Sequence, residues 1–177
     1  MEFETEKTVT EKQYLNMIRL KTAVLLGFSL ELGAILADAS EAECVALREF
    51  GTNIGIGFQL KDDLLDAYGD PRKFGKQVGG DIIANKKTFL LITALEKAKG
   101  KQKRELDDWL SAKKYNKQAK VKAVRSLYDS LGIPLLAEKK IDQFFKKGFN
   151  NLSALTCNEN SKKMLEAFTE ALIARQA

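Results

Sequence analysis

Two capping boxes near the start of the chain, each followed by a long stretch without proline, restrict this sequence to a helical fold. The segment TEKQ begins at Thr10, whose hydroxyl can cap a helix while Gln13 reaches back, and SEAE repeats the pattern from Ser40. Neither stretch contains proline, the residue that most strongly breaks a helix. These signals predict one helix from residue 10 to about 37 and a second from 40 to about 68.

Helical periodicity continues through the rest of the chain after one loop. Residues 69–81 hold four glycines, one proline and three cations, which indicates a loop, and Asp81 is placed to cap a helix over residues 81–98. Apolar residues at three- and four-residue spacing then predict further helices, the last over about 159–175. No segment alternates as a strand would, so we predict an all-α chain of about six to eight helices. Its 177 residues fit one domain or a large piece of one.

Three glycines lie inside the second predicted helix, at Gly51, Gly55 and Gly57. Each costs up to about 1 kcal/mol against alanine in a helix interior, so each calls for an explanation. Two explanations fit equally well. The glycines allow either close packing against another helix or room for a bulky ligand beside the backbone.

Composition excludes several classes of function. The chain has no histidine, which removes the commonest general base and most zinc sites. The net charge is +5, from 29 Lys and Arg against 24 Asp and Glu. Unless the basic residues cluster in a stripe, this surplus is weak evidence for nucleic-acid binding, and we predict no such partner. The most apolar run, residues 22–37, is shorter than the roughly 20 residues that cross a bilayer. With no signal peptide visible, we expect a cytoplasmic protein without an integral membrane segment.

Three carboxylates, Asp62, Asp63 and Asp66, fall close together at the end of the second predicted helix. Asp62 and Asp66 share one helix face, and Asp63 is offset by about 100°. A solvated acidic surface is one interpretation. The apolar segment GIGFQL directly before the acids favours the other, in which they hold Mg²⁺ together with substrate phosphates. Lys76, Lys86 and Lys87 follow around a glycine-rich loop and suit a diphosphate, with a solvated loop as the alternative.

The first predicted helix adds Lys21 and Thr22, at the border between a polar face and the apolar run. A lysine at such a border usually extends its stem along apolar surface and keeps its ammonium in water. The alternative is a cation at the mouth of an apolar cavity with a hydroxyl beside it.

Three segments in this order, YLNMIRLKTAVLLG, GIGFQLKDDLLD and GKQVGGDIIANKKT, closely resemble the all-trans polyprenyl (isoprenyl) diphosphate synthases. The resemblance implies an all-α bundle around a deep apolar cavity, usually a homodimer. It implies a trans-prenyltransferase that condenses isopentenyl diphosphate with an allylic diphosphate, with Mg²⁺ assisting departure of the diphosphate.

The resemblance also implies roles for particular residues. Asp62 would ligate Mg²⁺ directly, Asp63 and Asp66 directly or through water, and Asp81 would be an outer partner of the metal. The allylic diphosphate would be contacted by Lys21, Thr22, Lys76 and Lys86. Gln59 would lie near the reacting centre, and Phe58 would line the hydrocarbon cavity. The implied substrate-contacting residues are Lys21, Thr22, Phe58, Gln59, Lys76 and Lys86, of which Lys21, Thr22 and Gln59 are the candidate catalytic residues.

One departure from the family pattern is plain in the sequence. The family needs a first aspartate-rich motif of the DDxxD kind, and the only other paired acid here, Asp107–Asp108, has no matching surroundings. We therefore expect residues 1–177 to be the C-terminal portion of a synthase domain, inactive or nearly so alone. The alternatives are a non-catalytic regulatory subunit of a full synthase, or a plain helical domain or terpene cyclase relative.

Overall fold

Residues 8–70, 78–156 and 159–174 are described by the structure, a computed structural model. These residues form helices and contain no strand, which confirms the all-α prediction. The elements are α1 (Glu11–Ile18), a π-helical segment (Arg19–Ala23), α2 (Val24–Leu36), α3 (Glu41–Tyr68), α4 (Gly80–Ile83), α5 (Phe89–Lys97), α6 (Gly100–Ser111), α7 (Lys117–Ser130), α8 (Ile133–Ser153) and α9 (Glu159–Ala174).

Both predicted capping boxes are present. The amide of Thr10 donates to Oε1 of Gln13 at 2.9 Å, and the amide of Ser40 donates to Oε2 of Glu43 at 3.1 Å. Helix 10–37 continues through the π-helical segment without interruption, so it counts as one helix. Counted in this way, the described ranges hold eight helices, the upper end of the predicted number.

The single helix predicted over residues 81–98 is wrong, because the chain leaves the helix after Ile83 and re-enters it at Phe89. Asn85 adopts a left-handed conformation with φ of 52°, which a helix cannot contain. Thr88 then caps α5 by accepting from the amide of Leu91 at 3.5 Å. Asp81 lies in the first turn of α4 and is not its cap, because Gly79 takes that position.

The chain divides into two compact units. The described part of one unit comprises residues 8–14, 61–70 and 78–138, and its core is formed by apolar side chains of α3, α5, α6 and α7 and their neighbours. The buried members of this core are Ala67, Ile82, Leu90, Leu91, Ala94, Ala98, Leu106, Val124, Leu127, Tyr128 and Ile133.

The described part of the other unit comprises residues 15–60, 139–156 and 159–174, and two of its glycines mark close contacts between helices. A Cβ built on Gly51 would lie 2.9 Å from the Cα of Gly27, and one on Gly55 would lie 2.7 Å from the Cα of Ala23. Real Cβ atoms do not approach a backbone so closely. For Gly51 and Gly55, close helix packing is the explanation that the structure shows.

No helix among the described residues is long and apolar enough to cross a membrane.

Candidate active site

Asp63, in the middle of the acidic segment of α3, is buried and held on both of its oxygens. Its residue exposure is 4%. The hydroxyl of Tyr14 donates to Oδ2 at 2.6 Å, and Nζ of Lys86 donates to Oδ1 at 3.2 Å. Asp63 therefore joins α1, α3 and the turn that follows α4.

Lys86 links two carboxylates and still faces solvent. Its Nζ also lies 2.8 Å from Oδ2 of Asp81, and its side chain is 43% exposed, against 3% for Asp63. Burial disfavours the charge on Lys86, but the carboxylates of Asp63 and Asp81 outweigh that effect and raise the pKa of the ammonium. Lys86 is therefore a fixed, permanently charged group at the surface of the acidic cluster.

Tyr14 and Asp63 form a buried hydrogen-bonded pair. Burial raises the pKa of the Asp63 carboxyl, and the charge of Lys86 and the Tyr14 hydroxyl only partly offset that rise. Burial, together with the neighbouring carboxylate, raises the pKa of Tyr14 well above its usual value. The phenol consequently keeps its proton and acts as the donor.

Asp66 anchors the start of α4. Its Oδ1 accepts from the amide of Asp81 at 2.8 Å, and its carbonyl accepts from the amide of Gly79 at 2.6 Å. Burial raises the pKa of Asp66, although the hydrogen bond from the Asp81 amide opposes this. Asp62, one turn earlier on the same face, is half-buried, and its carboxylate makes no hydrogen bond or ion pair within the described ranges.

The carboxylates fit a hard cation to a limited extent. Among the described residues no group of three or more acidic side chains is arranged to hold a metal ion. Both oxygens of Asp63 are engaged by Tyr14 and Lys86. Asp62 and Asp66 remain on one helix face, and two carboxylates suit Mg²⁺, which keeps several waters and shares its shell with phosphates. Metal ligation by Asp62, Asp63, Asp66 and Asp81 stays a prediction.

Lys21 and Thr22 lie on the π-helical segment between α1 and α2. Such segments are rare and often occur at functional sites. Lys21 is exposed, and the Thr22 hydroxyl donates to Oε1 of Gln59 at 3.3 Å. The close approach of Gly55 to Ala23 brings the two helices near enough for this contact. Phe58, beside Gln59, is half-buried. These positions alone do not test the roles predicted for Lys21, Thr22, Phe58 and Gln59, which stay predictions.

Lys76 lies outside the described residues. Tyr14 was missed by sequence reasoning, although it opens the first segment of the resemblance, because no local pattern links it to an acid 49 residues away.

The comparisons with known proteins point in one direction. The family model described as Polyprenyl synthetase matches residues 1–128. The short chain isoprenyl diphosphate synthase of Methanocaldococcus jannaschii is 35% identical over 175 residues, 99% of this chain and 52% of that protein.

Solved structures of synthases are also similar to this chain. A crystal structure of geranylgeranyl pyrophosphate synthase superposes with a TM-score of 0.90 at 38% identity, covering 99% of this chain and 55% of that one. The geranylgeranyl pyrophosphate synthetase from Pyrococcus horikoshii Ot3 gives a TM-score of 0.87 at 31% identity, with coverage of 99% and 52%. The chain spans about half the length of the curated relatives it matches. The family model matches more than two thirds of this chain, and its helical structure matches that of solved synthases. The chain belongs to the polyprenyl synthetase family.

Proposed function

We propose that this chain forms the diphosphate-binding part of a trans-prenyltransferase that joins isopentenyl diphosphate to an allylic diphosphate. The observation that carries the proposal is the position of Lys86. Its half-exposed ammonium is held between Asp63 and Asp81, in the same compact unit as the pair Asp62 and Asp66. A charge held in this way can bind a phosphate oxygen without first losing the entropy of an ordinary surface lysine.

Each group of residues has a distinct part in this proposal. Lys86, with Lys76, binds the allylic diphosphate as point charges. Asp62 and Asp66 would hold Mg²⁺, which when bound would neutralise and polarise the diphosphate leaving group. Tyr14 holds Asp63 in place, and Asp63 in turn holds Lys86.

Thr22 and Gln59 form a separate polar pair in the other compact unit. The hydroxyl of Thr22 fixes the orientation of the Gln59 amide. We propose that this amide faces the reacting carbon of the allylic substrate, that Lys21 contacts its diphosphate, and that Phe58 lines the hydrocarbon cavity. No histidine is needed, because positioned charges and dipoles supply the stabilisation.

The sequence contains no first aspartate-rich motif. We therefore propose that condensation also needs residues that this sequence does not contain, and that the chain alone turns over little or no substrate. Homodimer formation and a cytoplasmic location stay predictions for the whole protein. Nothing in the comparisons supports the regulatory-subunit alternative.

The test is a calorimetric titration of the chain with inorganic pyrophosphate in the presence and absence of Mg²⁺. We expect Mg²⁺-dependent binding that Asp62→Asn and Lys86→Met each weaken by about tenfold or more. Asp108→Asn is the matched control, because Asp108 is exposed and its carboxylate has no partner in the described part of the chain. Binding without Mg²⁺ dependence, or equal effects of Asp62→Asn and Asp108→Asn, would contradict the proposed metal–diphosphate site.

A turnover assay tests the second part of the proposal. The chain is supplied with Mg²⁺, isopentenyl diphosphate and an allylic diphosphate, and chain-lengthened product is measured. We expect almost none, and turnover at the rate of an ordinary synthase would refute the need for further residues.

A further inference from the structure

Lys120 is a buried lysine that the proposed function does not use. It lies on α7, and the whole residue is 0% exposed. Its Nζ donates to Oδ1 of Asn85 at 2.6 Å and to the carbonyl of Ile83 at 3.4 Å. The same Nζ lies 4.3 Å from the ring centroid of Tyr115. Lys120 therefore reaches from its own helix to the segment between α4 and α5.

Carbonyl dipoles and the face of an aromatic ring surround the Lys120 ammonium, and no opposite charge in the described part of the chain does. Within the described residues, no carboxylate pairs with Lys120. Burying an ammonium is expensive unless it is paired or hydrogen-bonded. Two carbonyl oxygens and a tyrosine ring supply the compensation here. A group placed at such cost points to a role beyond filling space in the core.

The contact with Asn85 shows what Lys120 holds. Asn85 has a left-handed backbone, with φ of 52°, a conformation that is uncommon for non-glycine residues and that asparagine adopts more readily than most. Its Oδ1 receives the Lys120 ammonium, and its Nδ2 donates to the carbonyl of Leu110 at 3.0 Å. The Tyr115 hydroxyl donates to the carbonyl of Ile83, two residues before Asn85, at 3.0 Å. Both ends of the Asn85 amide are thus fixed.

Lys86 follows Asn85 directly, so the left-handed residue determines where the lysine side chain starts. The amide of Lys86 donates to the carbonyl of Asp81 at 2.9 Å, which closes the turn. From that position its Nζ reaches both Asp63 and Asp81.

We propose that Lys120 is a positioning residue that acts through Asn85, holding the left-handed turn that places Lys86 for a phosphate ligand. The phosphate part of this inference rests on the proposed function, whereas the effect of Lys120 on the turn does not. Loss of the Lys120 contact lets the turn relax, and Lys86 then loses its fixed position between the two carboxylates.

Hydrogen exchange of the full chain tests the effect on the turn without any ligand. In Lys120→Met, which keeps the length of the side chain, we expect the amides of Asn85, Lys86 and Thr88 to exchange several-fold faster. Lys122→Met is the matched control, because Lys122 is exposed on the same helix. Unchanged exchange at the turn in Lys120→Met, or a uniform increase across all helices, overturns the inference.

Asn85→Gly provides an independent variant, since glycine tolerates the left-handed backbone but removes the acceptor of Lys120. We expect it to accelerate the same three amides. The double variant Lys120→Met/Asn85→Gly should exchange no faster than either single variant, because both residues act through one contact. Additive effects would show that Lys120 does not act through Asn85.

Titration with inorganic pyrophosphate and Mg²⁺ connects the turn to binding. We expect Lys120→Met to weaken binding by about tenfold, with no further loss when it is added to Lys86→Met. If Lys86→Met weakens binding and Lys120→Met does not, the positioning role is refuted and the proposed function stands. If the wild-type chain does not bind pyrophosphate, the proposed function fails, and the exchange experiment alone decides the role of Lys120.

Discussion

At the scale of single residues, Asp63 differs most from a solvated surface acid. Two of its neighbours in sequence, Asp62 and Asp66, are half-buried, whereas Asp63 is enclosed and bound by Tyr14 and Lys86. This arrangement explains how three close carboxylates are tolerated. One of them is neutralised by a lysine, one is bound by a backbone amide, and the third is left with partial access to solvent.

Tyr14→Phe should destabilise the fold measurably. The change removes the hydroxyl that satisfies a buried carboxylate, for which we expect a loss of about 1–3 kcal/mol in the free energy of unfolding. Urea unfolding followed by circular dichroism measures it. Tyr68→Phe is the matched control, because Tyr68 donates to Asp129 at 2.8 Å in an exposed hydrogen bond. Equal losses in the two variants would show that burial of the Tyr14 contact adds nothing.

Glu43 should make stability depend on pH in the acid range. Hydrogen bonds from Thr156 and Ser40 lower the pKa of this exposed carboxyl to about 2. A lowered pKa contributes stability above the unfolded-state value of about 4.3 and loses it as the pH falls towards the folded-state value. We therefore expect the stability difference between wild type and Glu43→Gln to shrink as the pH falls through that window.

Urea midpoints measured across this acid range check the prediction for Glu43. Glu41→Gln is the control, since Glu41 lies in the same first turn of α3 and its side chain has no partner among the described residues. A difference for Glu43→Gln that stays constant with pH would contradict the assigned pKa.

At the scale of elements, the contact between the π-helical segment and α3 depends on Gly55. A Cβ at this position would lie 2.7 Å from the Cα of Ala23, and backbone atoms cannot move aside as a flexible side chain can. The two helices must separate to accommodate it, which would also stretch the hydrogen bond between Thr22 and Gln59.

Gly55→Ala should therefore cost about 1–3 kcal/mol in the free energy of unfolding, as overpacking usually does. Gly33→Ala is the control, because no atom lies within 4 Å of a Cβ at that helical position. Alanine is the better helix former, so Gly33→Ala should be neutral or stabilising by up to about 1 kcal/mol. Thermal unfolding of both variants separates the outcomes, and a stabilising Gly55→Ala would refute the close contact.

At the scale of the whole molecule, α2 presents apolar side chains to solvent. They follow one another at helical spacing, and their exposures are high for their type: Leu25 70%, Phe28 54%, Leu32 40%, Ile35 55% and Leu36 78%. A contiguous apolar patch of this kind marks an interaction surface or a tendency to associate.

We expect the purified chain to self-associate through this surface. Sedimentation velocity over a range of protein concentrations should show species larger than a monomer, which the double variant Leu25→Ser/Phe28→Ser reduces. The matched control is Met164→Ser/Phe168→Ser, which removes two exposed apolar side chains from α9. A chain that stays monomeric, or an equal effect of both double variants, would contradict association through α2.

The sequence by itself determined most of the helices, because their signals are local. The contacts within the two capping boxes join residues three positions apart, and apolar spacing reports a helix face within a few turns. It also located the acids and Lys86. It did not reveal the break at residues 84–88, since the left-handed Asn85 is held by Lys120, 35 residues later.

Only the tertiary structure decided the partners of these groups. Asp63 contacts Tyr14, 49 residues away, and Lys86, 23 residues away. No local sequence pattern predicts contacts between residues so far apart. The choice between ligand space and close packing at Gly55 likewise depended on where Ala23 lies. The hydrogen bonds of a capping box need only residues three positions apart in one helix turn. The contacts of Asp63 and Gly55 exist only when separate segments of the chain pack in one particular way.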